Sequence, residues 1–371
     1  MNVTQIVLHD FRNILEETVS FTPGVNILYG KNAQGKTNVL EGIYCFALGK
    51  SFRGNRDREL IRFGCGQSRL ELSFRDINRE QKMELSLFEE KSREMKRNGV
   101  PIRKRSEFVG TFHAVLFCPE HLSMIQGPPG QRRQFLDSAI CQLKPSYLAA
   151  LSLYGNVLKQ RNALLRDEDR TEEERLPLLE VLTQQMAEYN TRIVITRSRY
   201  LRLLEQAVSS FLSEMTSDRE RLSLTYCSDA QIELEDHPEQ MKDSYFRKCM
   251  SYAKREMAAG ISLHGCHRDD IGILLNGKEA KLFGSQGQDR SIALAMKLGE
   301  GEISRAAMGE YPVFLFDDVL SELDRDRQRY LLQKLEERQV ILTSCNRELF
   351  EGMHAPMIRV EEGTYEREEQ G

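Results

Sequence analysis

The first third of the chain carries short apolar segments whose spacing predicts β-strands. SRLELSF and KMELSLF alternate polar and apolar positions, which is typical of antiparallel strands with one buried face. Three further β-rich segments are VTQIVLHDF, VNILYG and, at 113–118, HAVLFC. HAVLFC is almost wholly apolar, and we expect it to form a buried strand.

The centre of the chain, from about residue 126 to residue 260, has a helical pattern, with apolar positions recurring at three- and four-residue steps. The longest such stripe follows Pro177, where a helix could open. It predicts a helix of about 38 residues, which would be about 57 Å long at 1.5 Å per residue. We expect this helix to pack against a neighbouring helix near residues 147–165 rather than to bind a cofactor.

An α/β pattern returns after residue 260. Asn276 and Gly277 lie between two apolar runs and are typical of a two-residue hairpin turn. Strands are predicted at PVFLF and VILTS, with a helix near 324–337 between them, and the acidic tail EEGTYEREEQG is expected to fray. The predicted fold is α/β, with residues 1–125 and 256–371 forming one part and residues 126–255 forming a helical lobe.

Composition and charge place the chain among ordinary globular proteins. Its 371 residues are 40% hydrophobic and 29% charged, and the formal net charge of −4 means that any nucleic-acid contact must come from local basic patches. Eight scattered cysteines include no C-x-x-C pair, which indicates reduced thiols. The chain opens without a signal-type segment, and no apolar run approaches the ~18 residues of a membrane span, so we expect a cytoplasmic protein with no membrane partner.

The motif GKNAQGKT directly follows the strand-like segment VNILY. It matches G-x-x-x-x-G-K-[ST], a loop whose backbone N–H groups surround the phosphates of a nucleotide. Lys36 would reach the β- and γ-phosphates, Thr37 would ligate Mg²⁺, and the following helix would point its positive end at the phosphates. The predicted nucleotide contacts are Gly30, Lys31, Asn32, Ala33, Gln34, Gly35, Lys36, Thr37 and Asn38. A chance match is the alternative, which the preceding strand and a predicted amphipathic helix over 39–46 disfavour.

Two carboxylates end the apolar segment VFLFDD. We predict that Asp317 holds Mg²⁺, commonly through water, and that Asp318 polarises the water that attacks ATP. Alone, an acidic strand end is a weak signal, but together with Lys36 it is a strong one. The predicted catalytic residues are therefore Lys36, Asp317 and Asp318, the predicted metal ligands are Thr37 and Asp317, and the predicted cofactors are ATP and Mg²⁺.

A second glycine-rich turn, GSQGQ at 284–288, precedes a well-patterned helix. It offers a hydroxyl, free N–H groups and a helix N-terminus, all suited to a phosphate. Because the chain already has one phosphate-binding loop, this turn makes sense if it serves another subunit's nucleotide. The turn resembles the signature of ABC-type ATPases, and SELD, ending at Asp324, resembles their D-loop. The resemblance implies an ATP-dependent head-to-tail homodimer whose in-trans residues are Ser285, Gln286, Gly287, Gln288 and Asp324.

Two other ATPase classes share these motifs but fit the chain less well. A transport-coupled ATPase would have a histidine after VILTS, where Cys345 and Asn346 stand, and a shorter separation between Lys36 and Ser285. An SMC- or Rad50-type head would carry a far longer coiled coil.

Motifs along almost the whole chain resemble those of the RecF family of bacterial DNA replication and repair proteins. They are LHDFRN, GKNAQGKTNVLEGIY, GKSFR, LFCPEHL, RRQFLD, HRDD, SQGQDRS and FDDVLSELD, in the family's order. The family frequently has proline at the position of Cys266 and histidine at the position of Phe52, so the chain departs from the family's motifs at these two residues.

The resemblance to this family implies an ABC-type P-loop ATPase head with an inserted, mainly α-helical second lobe. It also implies slow, DNA-stimulated ATP hydrolysis and an ATP-gated dimeric clamp on duplex or gapped DNA. Cooperation with RecR and RecO to load RecA would place the protein in recombinational repair, replication restart and the SOS response.

Two further groups of residues have open alternatives. Arg12 and Asn13, in FRN, occupy the place where related heads touch nucleotide, but they could instead be a surface arginine and a turn asparagine. A second group comprises His264, Cys266, His267, Asp269 and Asp270. Its spacing matches no usual zinc pattern, and the resemblance implies structural support beside the signature.

Two basic segments are candidates for DNA contact. The predicted contacts are Lys50, Arg53, Arg56 and Arg58 in GKSFRGNRDRELIR, and Arg103, Lys104 and Arg105 in MKRNGVPIRKR. Such clusters suit phosphates, but solvated loops are the alternative, because Asp57 and Glu59 lie within the first segment. Since few aromatic residues interleave, we expect salt-sensitive binding to the backbone of duplex DNA or of a duplex–single-strand junction.

Overall fold

The structure, a computed structural model, describes residues 1–54, 56–230, 237–350 and 353–368. The chain forms two compact units. The first unit comprises Met1–Ser123, Ser210–Arg219 and Ser285–Gly371, and the second comprises Met124–Ser209 and Glu220–Gly284. In the part of the chain described, no helix is both long enough and apolar enough to cross a membrane.

The strands and helices follow the α/β pattern of the sequence. The strands are β1 (Asn2–Phe11), β2 (Ile14–Ser20), β3 (Val25–Tyr29), β4 (Gln67–Arg75), β5 (Glu80–Phe88), β6 (Glu94–Arg97), β7 (Val100–Ile102), β8 (Ala114–Phe117), β9 (Leu222–Cys227), β10 (Asp270–Leu275), β11 (Lys278–Glu279), β12 (Val313–Asp317), β13 (Val340–Ser344), β14 (Met357–Glu361) and β15 (Thr364–Arg367). The helices are α1 (Lys36–Leu48), α2 (Arg105–Phe108), α3 (Pro119–Leu122), α4 (Pro129–Leu143), α5 (Pro145–Leu165), α6 (Glu172–Thr216), α7 (Pro238–Ser251), α8 (Ala253–Ala259), α9 (Ala280–Phe283), α10 (Gln286–Met308) and α11 (Arg325–Lys334).

The first unit contains two six-stranded sheets with α1 between them. One sheet is antiparallel, in the order β2-β1-β4-β5-β6-β7, and the other has the order β15-β14-β3-β13-β12-β8, in which all strands except β15 run parallel. Helix α1 contacts β1 and β4 on one side and β8, β12 and β13 on the other. Every residue from Val39 to Leu48 is therefore buried, and the prediction that this helix is amphipathic was wrong, because a helix between two sheets has no solvent face.

The parallel order brings three strand ends side by side. Tyr29 of β3 is in register with Ser344 of β13, and Thr343 of β13 is in register with Asp317 of β12. Ligands of open α/β sheets bind at the carboxyl ends of the strands, so this edge is where a nucleotide site is expected.

The second unit is mainly helical and includes the small antiparallel sheet β11-β10-β9. Its helix α6 begins at Glu172, five residues before Pro177, so the predicted start was wrong. Thr171 and Glu174 form the N-terminal capping box: each backbone N–H donates to the other's side chain. The expected packing is confirmed, since Leu179 of α6 lies in one cluster with Leu164 and Leu165 of α5.

Two segments differ from their predicted structure. LSLTYC, in the stretch expected to be helical, forms β9 and pairs with β10, with Tyr226 opposite Ile271. The tail expected to fray, residues 361–371, instead contains β15, which pairs with β14, and β14 in turn pairs with β3. Its last residues, 369–371, lie outside the described residues. The predicted hairpin at Asn276 and Gly277 is confirmed, since both take positive φ angles of 51° and 76° between β10 and β11.

Candidate nucleotide site

The glycine-rich loop lies at the edge of the mainly parallel sheet, between β3 and α1. A Cβ atom on Gly30 would lie 2.3 Å from the carbonyl oxygen of Val360, so only glycine fits between the loop and β14. Ala33 and Gly35 take positive φ angles of 63° and 114°, which turn the backbone in the way a phosphate loop requires. Helix α1 then begins at Lys36, with its N-terminal N–H groups facing the loop.

The Lys36 side chain curls back over its own loop. Its Nζ donates to the carbonyl oxygens of Gly30 at 2.7 Å and Lys31 at 2.8 Å, and lies 3.5 Å from Cys345 Sγ. The ammonium group is therefore held where the loop's polar groups converge.

Asp317 lies at the end of β12 against the hydroxyl of Thr37. Its Oδ1 accepts hydrogen bonds from Thr37 Oγ1 at 2.7 Å and from Thr343 Oγ1 at 2.8 Å. Burial raises the pKa of Asp317 above its ordinary value, despite the opposing effect of the two threonine bonds. A hydroxyl and a carboxylate oxygen at this separation are hard ligands that fit Mg²⁺.

Asp318 has a strained backbone and an unsatisfied oxygen. Its φ is +51°, and its Oδ1 is buried without a hydrogen-bond partner among the described residues. Its Oδ2 lies 3.7 Å from the Cys345 thiol, which also donates to Asn32 Oδ1 at 2.7 Å. A buried acceptor with no partner beside a phosphate loop suits a bound water.

Glu41, a functional residue that the sequence reasoning missed, is a fully buried carboxylate on α1. It accepts from Arg12 Nε at 2.9 Å and Nη2 at 2.7 Å, and from Arg53 Nη2 at 2.6 Å. Burial acts to raise the pKa of Glu41, but hydrogen bonds from Arg12, Arg53 and Ser51 outweigh it, and the pKa is lowered. The available signal was one acid within the apolar segment VLEGIYCFAL.

Asn13 and Asn38 connect this network to the loop. Asn38 Nδ2 donates to Asn13 Oδ1 at 2.6 Å, and Asn38 Oδ1 accepts from Arg53 Nη2 at 2.6 Å. Asn13 Nδ2 lies 3.4 Å from the carbonyl oxygen of Gln34. The structure thus brings the predicted FRN pair to the phosphate loop.

A cavity of about 1160 Å³ opens between these groups, large enough for a nucleotide. Its lining includes most predicted contacts and several residues that were not predicted. The lining residues are Arg12, Asn13, Asn32, Ala33, Gly35, Lys36, Thr37, Asn38, Arg53, Arg58, Glu59, Ile61, Arg62, Phe63, Gly64, Cys65, Gly66, Glu89, Pro119, Glu120, Asp317, Asp318 and Thr343. The predicted contacts Gly30, Lys31 and Gln34 do not line it.

The signature turn, residues 285–288, lies at the start of α10, and none of its residues lines this cavity. Ser285 Oγ accepts from Gln288 N at 3.3 Å, and Gln288 Oε1 accepts from Ser285 N at 2.9 Å. Asp324 caps α11 in the same way, by accepting from the backbone N–H of Arg327 at 3.0 Å. Both helix starts are thus built by side chains that are themselves exposed or half-buried.

The structure separates the predicted DNA contacts. Arg53 is bound to Glu41, and Arg105 donates from Nε at 3.0 Å and Nη2 at 2.7 Å to the carbonyl oxygen of Leu48, at the end of α1. Arg56 and Arg58 line a smaller cavity of about 490 Å³ together with Lys91 and Arg93. Arg103 and Lys104 are exposed, and Lys50 is half-buried.

The histidines of the group between His264 and Asp270 form hydrogen bonds inside the second unit. His264 Nδ1 lies 2.9 Å from Asp229 Oδ2, and His267 Nδ1 lies 2.6 Å from the Tyr154 hydroxyl. Burial lowers the pKa of His267 to about 4. Across the described ranges, no group of three or more His, Cys, Asp or Glu side chains is arranged to hold a metal ion.

Comparison with known proteins agrees with this geometry. Residues 2–366 match the RecF/RecN/SMC N-terminal domain family. The chain is 38% identical to the DNA replication and repair protein RecF of Acetivibrio thermocellus, covering 98% of this chain and 99% of that protein, and 37% identical to RecF of Staphylococcus carnosus, with the same coverage.

Solved structures show the same fold. The recombination mediator protein RecF-ATP in the RecFOR pathway is 32% identical, with a TM-score of 0.90, covering 99% of this chain and 98% of that one. The Smc head domain of Pyrococcus furiosus is 16% identical, with a TM-score of 0.55 over 99% of this chain and 96% of that one, and it shows likeness of fold alone. The predicted α/β ABC-type ATPase head with an inserted helical lobe is confirmed, and the chain belongs to the RecF family of DNA replication and repair proteins.

Proposed function

We propose that this protein is an ATP-dependent DNA-binding protein of recombinational repair and replication restart, acting in the cytoplasm as a slow, DNA-stimulated ATPase. The observation that supports the proposal is the Thr37–Asp317 contact beside Lys36, because a hydroxyl and a carboxylate of the kind that bind Mg²⁺ lie next to the lysine of a glycine-rich loop. The likeness to RecF-ATP over almost the whole chain supports ATP as the nucleotide.

Each side chain has a distinct task in this proposal. Lys36 leaves the carbonyl groups of its own loop to bind the β- and γ-phosphates. Thr37 and Asp317 would hold Mg²⁺, and the ion would supply positive charge to the transferred phosphoryl group. The free Oδ1 of Asp318 accepts a proton of the attacking water and orients it.

ATP also controls association. Because none of residues 285–288 lines the cavity of its own subunit, we assign them to the γ-phosphate of a second copy, and we assign Asp324 to the same in-trans surface. Two ATP molecules then join two heads, each built from residues 1–125 and 256–371, into a clamp on duplex or gapped DNA. ATP hydrolysis resets this dimer. The helical lobe, residues 126–255, is part of the same clamp. The clamp helps RecR and RecO load RecA.

The test uses Lys36→Met, with Lys278→Met, at an exposed position outside the loop, as the control. We expect Lys36→Met to lower ATP affinity at least tenfold, because it loses the cation that binds the phosphates, while Lys278→Met stays within about twofold. Equilibrium binding of a fluorescent ATP analogue measures both. Equal loss in the two variants would contradict the assigned site.

Asp318→Asn separates binding from hydrolysis. The amide keeps the shape of the side chain but is a poorer base, so ATP binding should persist while DNA-stimulated phosphate release falls at least tenfold. Phosphate release at wild-type rate would remove Asp318 from the mechanism.

A further inference from the structure

Arg327, in the first turn of α11, lies between the signature turn and the D-loop residue Asp324. Its Nη2 donates to the carbonyl oxygen of Gly287 at 2.9 Å, and its Nε donates to Ser291 Oγ at 2.9 Å. Its Nη1 forms an ion pair with the carboxylate of Asp324. One guanidinium group therefore bonds to both elements that the proposed dimer directs at a second subunit.

The fit around this guanidinium is close. A Cβ atom on Gly287 would lie 3.4 Å from Arg327 Nη2, so the guanidinium group lies in direct contact with the backbone of the turn. Ser291 Oγ in turn donates to the Gly287 carbonyl at 3.1 Å, which closes a small ring of bonds around the first turn of α10. A planar fork of donors can serve three acceptors at once, and a lysine ammonium on a flexible stem cannot do so with the same geometry.

Asp324 is fixed by the same contact. Its carboxylate accepts from the backbone N–H groups of Asp326 at 3.1 Å and Arg327 at 3.0 Å as the cap of α11. These bonds, with the Arg327 side chain, lower the pKa of Asp324. A second tie between the two elements, Arg290 to Glu322 at 3.1 Å, joins side chains that are both exposed.

We propose that Arg327 is a positioning residue that holds the signature turn and Asp324 in one fixed arrangement, so that both meet the partner subunit together and the turn faces the partner's nucleotide. The proposal rests on the proposed in-trans site. Arg327 does not line the cavity of its own subunit, so it acts on the partner's ATP through residues 285–288 and Asp324 and leaves ATP binding to its own subunit unchanged.

The test compares Arg327→Met and Arg327→Lys with Arg329→Met, which removes an exposed arginine of the same helix that pairs only loosely with Asp326, at 3.7 Å. Equilibrium binding of a fluorescent ATP analogue under monomeric conditions, and light scattering with a non-hydrolysable ATP analogue, are measured for each. We expect Arg327→Met to keep monomer ATP affinity within about twofold and to weaken dimerisation at least tenfold. Arg327→Lys should fall between Arg327→Met and the wild type, and Arg329→Met should match the wild type.

A mixing experiment separates positioning from a general loss of structure. Lys36→Met lacks its own phosphate cation but keeps an intact signature turn, whereas Arg327→Met has the converse defect. If Arg327 acts in trans, the mixture hydrolyses more ATP than either variant alone, because one composite site has all its parts. A mixture no more active than its components would overturn the proposal.

The remaining outcomes are distinguishable. A wild-type protein that dimerises with the analogue, together with an Arg327→Met variant that dimerises equally well, overturns the role of Arg327 and leaves the proposed function standing. A wild-type protein that stays monomeric overturns the in-trans site itself. If the melting temperature of Arg327→Met is well below that of the wild type, the dimerisation of Arg327→Lys and the mixing experiment decide whether Arg327 has a positioning role. A partner subunit would not restore ATP hydrolysis if Arg327 only stabilised its own subunit.

Discussion

Glu41 shows how one buried side chain can organise a site. Its carboxylate is fully buried, and its charge is balanced by Arg12 and Arg53, both of which line the nucleotide cavity. A buried carboxylate between two arginines fixes the position of both guanidinium groups, because moving either removes a hydrogen-bonded ion pair from a carboxylate that water cannot reach.

We therefore expect Glu41→Gln to lower the free energy of unfolding by about 3 kcal/mol, the cost of breaking a buried ion pair, and to weaken ATP binding. Because the folded pKa of Glu41 is lowered, its contribution is present above the unfolded value of about 4.3 and is lost as pH falls through the folded value. Denaturant unfolding at pH 7 and below pH 4 measures this. Glu90→Gln, at an exposed position, is the control. If the difference in unfolding free energy between the wild type and Glu41→Gln did not shrink in acid, the assigned role of Glu41 would be contradicted.

Gly30 gives a second prediction at the residue scale. An alanine Cβ there would lie 2.3 Å from the Val360 carbonyl oxygen, so Gly30→Ala must displace β14 or the phosphate loop. We expect lower stability and weaker ATP binding in the same variant. Gly155→Ala on α5 is the control, since no atom lies within 4 Å of the added methyl group, and it should stabilise the helix by up to about 1 kcal/mol. Equal effects in the two variants would show that the close approach to β14 does not matter.

At the scale of elements, one buried ion pair joins three helices of the second unit. Arg161 of α5 bonds to Glu256 of α8 at 2.6 Å and to Thr183 of α6 at 3.0 Å, and both charged side chains are fully buried. We expect Glu256→Ala to destabilise this unit by about 3–5 kcal/mol, because Arg161 would be left buried and unpaired. Hydrogen exchange of α5 would report the loss, and Lys254→Ala, at an exposed position, should leave exchange unchanged.

The elements that were predicted well are those that lie next to a functional motif in the sequence. The phosphate loop, the acidic end of β12 and the turn before α10 each have a local sequence reason, and all three lie at the expected helix and strand ends. β9 was missed because its alternation, LSLTYC, is short and lies within a long helical stretch, and its partner β10 is more than 40 residues away. The start of α6 had a readable signal, the capping pair Thr171 and Glu174, which Pro177 obscured.

Features that depend on distant contacts could not be predicted from the sequence. The complete burial of α1 requires two sheets that only the fold brings together, and without it Glu41 is one acid in an apolar helix. Likewise, Arg53 belongs by sequence to a basic segment that resembles a DNA contact, yet its guanidinium bonds to Glu41 and Asn38 at the nucleotide cavity. Charge density along the chain carries no information on which way a side chain faces.

At the scale of the whole molecule, a net charge of −4 means that DNA binding depends on local clusters of lysine and arginine. Arg56, Arg58, Arg103 and Lys104 remain the candidates whose side chains face outward or line the smaller cavity. We expect duplex affinity to fall steeply with salt, with a slope set by the number of phosphates contacted. Replacing Arg103 and Lys104 together by glutamine should reduce that slope by about 2, and an unchanged slope would exclude both residues.

In the proposed mechanism, ATP joins two copies of this chain through the signature turn. The most direct test is the molar mass by light scattering without nucleotide, with ADP and with a non-hydrolysable ATP analogue, each with and without gapped duplex DNA, for the wild type and Ser285→Arg. We predict a dimer only with the ATP analogue, strengthened by DNA, and a Ser285→Arg protein that binds ATP but stays monomeric. A mass that does not respond to nucleotide, or a Ser285→Arg protein that dimerises normally, would contradict the account.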